Sequence, residues 1–80
     1  MNLYILSRTD YVGYDEYDSF VMCAESEEEA RKFQPNGKEF TDELYQGSWT
    51  KNICDVHCVL IGAASEKVRK GVVIASFNAG

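Results

Sequence analysis

Cys54, Asp55, His57 and Cys58 fall within five residues, and thiolate, carboxylate and imidazole are the side chains that bind zinc. The pattern around them opposes that chemistry. Cys54, Val56, Cys58 and Leu60 alternate with Asp55, His57, Val59 and Ile61, the period of a strand. On a strand Cys54 and Cys58 stand about 13 Å apart, whereas two ligands of one zinc lie within about 4 Å of each other. His57 faces away from both cysteines, so the segment reads as core thiols beside a half-exposed histidine, with no metal site. A cysteine–histidine nucleophile fails on the same geometry, and no orienting third group or oxyanion hole is evident. The acids between Asp10 and Asp18 lack the alternating ligands, sixth-position glycine and closing glutamate of a calcium loop. The chain has no phosphate-binding glycine loop and no Gly-x-Ser-x-Gly elbow, and 80 residues offer little cleft for a sugar between paired acids. The sequence therefore reads as non-enzymatic, with no catalytic residue and no cofactor.

The other conspicuous chemistry is contact chemistry. Residues 9–18 hold three of the five tyrosines and four of the thirteen carboxylates of the chain. Tyrosine offers a large contact area with only two torsions to freeze, and clustered carboxylates attract cationic surfaces. Tyr11, Tyr14, Asp15, Glu16, Tyr17 and Asp18 are accordingly the candidate protein-binding residues. The competing reading is a long hairpin connection whose tyrosines fold back over a sheet, with Gly13 permitting the bend.

The elements that must position this loop follow from apolar patterning. Residues 2–8 read as a first strand and 19–24 as a second, antiparallel to it, because a ten-residue connection closes a hairpin more readily than a crossover. The loop would then be the hairpin tip. Ser26 with Glu29 three residues on matches a capping box and starts a helix over 26–33; acids lie at its first turn, Arg31 and Lys32 at its last, and Pro35, Asn36 and Gly37 end it. Ala30 and Phe33 give it a narrow apolar stripe. Residues 36–51 are weakly patterned, with a helical turn over 41–45 and Trp49 as a lid on a small core. Residues 55–61 and 72–77 supply two more strands, most simply a second hairpin, joined by a turn bearing Lys67, Arg69 and Lys70.

This ββαββ order predicts one domain over residues 1–80: an α+β fold with a four-stranded, mainly antiparallel sheet and one helix packed on one face. So short a chain buries only about 60–65% of its unfolded surface. One helix leaves the other sheet face bare; Tyr4, Leu6, Val59 and Ile61 are candidates to point that way, and a homodimer would cover them.

Composition narrows the partners. The chain is 45% hydrophobic and 26% charged, the balance of a folded protein. A formal charge of −5 opposes direct binding to nucleic acid or to an anionic membrane and favours a protein with a basic surface. Three cysteines in apolar contexts predict free thiols in a reducing compartment, and the absence of a signal-like or membrane-length apolar run predicts a cytoplasmic location.

Gly13-Tyr14-Asp15-Glu16-Tyr17-Asp18-Ser19, with Val21-Met22-Cys23-Ala24 and the helix ending before Pro35, resembles a group of small uncharacterised proteins encoded by tailed phages and prophages. The closing segments Leu60-Ile61-Gly62-Ala63-Ala64 and Gly71-Val72-Val73-Ile74-Ala75-Ser76-Phe77-Asn78-Ala79-Gly80 look like that group's carboxyl end. The resemblance implies phage origin and the host cytoplasm. The expected function is a small acidic interaction protein that binds a host, defence or phage protein, with inhibition of a nucleic-acid-binding protein in the manner of an anti-CRISPR as its concrete form. Two further classes stand beside it: an oligomer that sequesters a nucleotide on stacked tyrosines, and an accessory subunit of a phage particle.

Overall fold

The computed structural model describes residues 1–10, 16–37, 39, 49–50 and 55–78. The helical turn expected over 41–45 lies outside them. Strand β1 (Asn2–Arg8) pairs antiparallel with β2 (Glu16–Ala24), Asn2 opposite Ala24 and Ser7 opposite Ser19. A short helix, α1 (Glu27–Arg31), follows, and then β3 (Val56–Ala63) and β4 (Gly71–Asn78) complete one sheet in the order β3-β1-β2-β4. This is a small α+β fold with an open antiparallel sheet and, among the described residues, a single helix.

The expected second hairpin does not form. β3 pairs with β1 and β4 with β2, so the last two strands occupy opposite edges. The link between them, residues 64–70, must span three strand spacings, about 14 Å, well within the reach of seven extended residues. It is pinned as it passes the sheet end, where Ala64 N donates to Met1 O at 3.0 Å and Cys23 Sγ lies 3.9 Å from Val68 O. β1 and β2 become the central strands, consistent with their being apolar on both faces.

Alternation sorts the side chains. On the covered face Tyr4 aligns with Met22 and Val72, and Leu6 with Phe20, Ala75 and Cys58. Leu6 and Met22 are fully buried, as is Ala30, the residue that α1 lays on them. Removing a side chain the size of Leu6, Phe20 or Met22 from water contributes about 2 kcal/mol. Trp49 closes this core; it is 1% exposed and meets Phe20 edge-to-face with ring centroids 5.3 Å apart. Its role as a lid is as the sequence suggests.

The opposite face carries Ile5 beside Val21, Val59 and Ile74 across the four strands. Two of the residues expected there are elsewhere: Tyr4 and Leu6 lie in the core, because an apolar run without polar alternation does not say which parity the helix will cover. Val59 does lie on the open face, and Ile61 occupies an irregularity in the β1–β3 register and is exposed.

The helix begins where its cap does. Ser26 Oγ accepts from Glu29 N at 3.1 Å. The reciprocal bond differs from the expected box by one residue, since Glu29 Oε1 accepts from Glu25 N, at 3.0 Å, instead of from the Ser26 amide. The helix is shorter than 26–33: Lys32 is its C-cap and Phe33 bridges to Glu39. Gly37, with φ of 88°, closes the turn that starts at Gln34, its amide donating to Gln34 O at 2.9 Å. Arg31 ties α1 to the sheet by donating to Val56 O and to Glu27.

Candidate functional site

Of the six residues singled out for binding, Tyr11, Tyr14 and Asp15 lie outside the described residues. The other three are on β2 and not in a loop: the strand begins at Glu16, three residues before the expected start. The cause is β4, which runs alongside and pairs Glu16 with Asn78 and Tyr17 with Phe77. Charged and tyrosine-rich residues that look like a connection are drawn into the sheet by a partner strand 60 residues away.

The organising residue at this end is Arg8, which carries no motif. It ends β1 with the parity of Tyr4 and Leu6, so its side chain is directed into the covered face and is only 3% exposed. The guanidinium stacks over the Trp49 ring at 5.8 Å from the centroid. Asp10 takes it as a fork, with Nε to Oδ1 at 2.6 Å and Nη2 to Oδ2 at 3.0 Å. Glu16 Oε2 lies 3.7 Å from Nη1, and Nη1 also donates to Tyr17 O at 3.3 Å. The fork is the main reason the Asp10 carboxyl is held below its ordinary value of 3.8; partial burial opposes it, and the Arg8 charge and a hydrogen bond from Thr50 add to the lowering.

The acids of this end are thus of two kinds. Asp10 and Glu16 hold Arg8, which makes Glu16 a structural residue as much as a contact residue. Asp18 sits where the β2–β4 register shifts between Tyr17 and Ser19, and it accepts from Ser19 Oγ at 3.1 Å. Tyr17 packs against the core and meets Phe77 edge-to-face at 4.8 Å, so its ring belongs to the sheet. Among the described residues, Asp10, Glu16 and Asp18 outnumber the one buried guanidinium of Arg8 here.

The open face has its own relief. Ile5, Val21 and Ile74, with Ser19 and Ser76, line a shallow groove of about 330 Å³. Next to the apolar row a polar one crosses the sheet: His57 opposite Ser7, Ser7 opposite Ser19, Ser19 opposite Ser76.

His57 is exposed on that face while Cys58 packs toward the core, and Cys54 lies outside the described residues. Among the described residues no group of three or more histidine, cysteine or acidic side chains could hold a metal ion. Burial chiefly raises the Cys58 thiol, with Glu27 adding to the rise and Arg31 opposing it. Cys23 and Cys58 are both free thiols. In the basic turn, Lys70 Nζ is paired with Glu29 at 3.1 Å. No described helix is long and apolar enough to cross a membrane. Compared with protein families, with curated proteins and with solved structures, the chain matches none at a significant level.

Proposed function

We propose that this chain is a small non-enzymatic interaction protein of phage type, acting in the host cytoplasm, that docks its acidic hairpin end against a basic protein surface. The observation that supports the reading is the charge balance among the described residues at that end: Arg8 is buried and already held by Asp10 and Glu16, which leaves the Asp18 carboxylate in excess, with Asp15 three positions before it in the sequence. Net charge of −5 and small size suit occupation of a basic groove that would otherwise hold nucleic acid, with a host or defence protein as the target. Two free thiols are in keeping with a reducing compartment.

The test is affinity capture from infected cells with the wild-type chain and with the double variant Asp15→Asn, Asp18→Asn. Glu16 is left intact because it helps hold Arg8. Retention of a basic protein by the wild type and its loss, at least tenfold, with the variant is expected. Equal retention by both chains would overturn the reading.

A further inference from the structure

The two edges of the sheet are not equivalent. On β3, Arg31 reaches from α1 to the Val56 carbonyl. The neighbouring carbonyl, of Asp55, accepts from Thr9 N and so points toward β1; alternation directs that of Val56 outward, and a charged side chain occupies it. Among the described residues nothing comparable guards β4. Its eight residues, Gly71–Asn78, include no charge and no proline, and Val73, Ile74 and Phe77 are 51%, 66% and 46% exposed. Sheet proteins usually blunt an edge with lysine, proline, a bulge or a covering segment. The β2–β4 register shifts twice, between Ile74 and Val72, where the extra residue is Val73 of β4, and between Ser76 and Phe77, where it is Asp18 of β2, so that Ile74–Asn78 of β4 itself carries no inserted residue.

We propose that β4 is a self-association edge, along which a second copy of this chain adds antiparallel to make a continuous eight-stranded sheet about a two-fold axis. An antiparallel strand pair is its own complement, so the edge fits itself without further specification, and β4 to β4 pairing closes as a dimer. Charge decides where a second copy can approach. A chain of net charge −5 repels itself wherever its carboxylates face each other, and β4 itself presents backbone, apolar side chains and the uncharged Ser76 and Asn78 to a copy. Pairing one edge with the other would build an open filament, which the arginine on β3 opposes. The dimer also doubles the apolar row of the open face, placing two Ile74 side chains near the axis.

The experiment is sedimentation of the whole chain as a function of concentration and salt, with Ile74→Lys and Val59→Lys as variants and circular dichroism as the check on folding. Both sites are on the open face and exposed, but only Ile74 is on β4. The wild type is expected to pass from 9.0 kDa to twice that mass on concentration. Added salt, which screens the like charges, is expected to strengthen the dimer. Ile74→Lys should weaken it at least tenfold and Val59→Lys should leave it unchanged. A wild type that stays monomeric to about 1 mM, the weakest association worth calling specific, would overturn the proposal. So would loss of the dimer in Val59→Lys, which would mean pairing through the open face or β3. The salt response separates this surface from the acidic hairpin end, whose hold on a basic partner should weaken under the same change.

Discussion

At the scale of the residue, Arg8 decides how the acidic end is built. A guanidinium at 3% exposure is tolerable only because Asp10 grips it bidentately, Glu16 stands near and Trp49 lies beneath. Arg8→Ala would leave carboxylates without their cation and a space over Trp49. Its expected cost is about 2 kcal/mol, below the range for a fully buried pair because the acids are partly exposed, read from urea unfolding. Arg8→Lys should recover little, since a lysine cannot reproduce the fork. The pH response has a definite sign. Asp10 is depressed in the folded state, so its contribution is complete above the unfolded carboxylate value near 3.8 and disappears as pH falls through the lower folded value. In Arg8→Ala that acid-side loss should be smaller, and an acid titration of stability at fixed urea would show it. None of this is announced by a motif, yet part of it is legible: Leu6 and Arg8 share a parity, and Asp10 follows two residues on. What one strand read alone cannot reveal is that its basic end faces the core, because that depends on which face the helix covers.

At the scale of the element, the capped helix and the first hairpin are local and were readable. Ser26, Glu29 and the Pro35-Asn36-Gly37 turn act within a few residues of one another, so the sequence contains both partners of each contact. Ser26→Ala should cost about 1 kcal/mol and lower the melting temperature by about 5 °C, a large effect for so short a helix. The failures are non-local. β2 starts at Glu16 because β4 extends it, and β3 and β4 separate because each finds a different central strand. Neither outcome is encoded in the 64–70 link, which is compatible with a hairpin or with a passage across the sheet end. The face of β3 is also set by pairing, and it determines thiol chemistry. Cys58 packs toward the core with its thiol raised by burial, so alkylation at neutral pH should be slower than for a solvent-exposed thiol and should accelerate in denaturant, followed by peptide mapping.

At the scale of the whole molecule, the fold separates two kinds of surface. Among the described residues the hairpin end carries Asp10, Glu16 and Asp18 with Arg8 turned inward, whereas β4 carries no charged side chain and Ile74 is its most exposed apolar residue. The first suits a cationic partner and the second suits another strand, and the two should respond to salt in opposite directions. Composition made the first foreseeable and sheet order was needed for the second. The most direct measurement of the central claim is competition: a captured basic partner, loaded with its nucleic acid, is titrated with this chain at low and at high salt. Displacement of the nucleic acid is expected at low salt, weakening as salt rises, with at least tenfold more of the Asp15→Asn, Asp18→Asn variant needed to reach the same displacement. A partner that holds nucleic acid and this chain at once, or a displacement indifferent to salt and to those carboxylates, would contradict it.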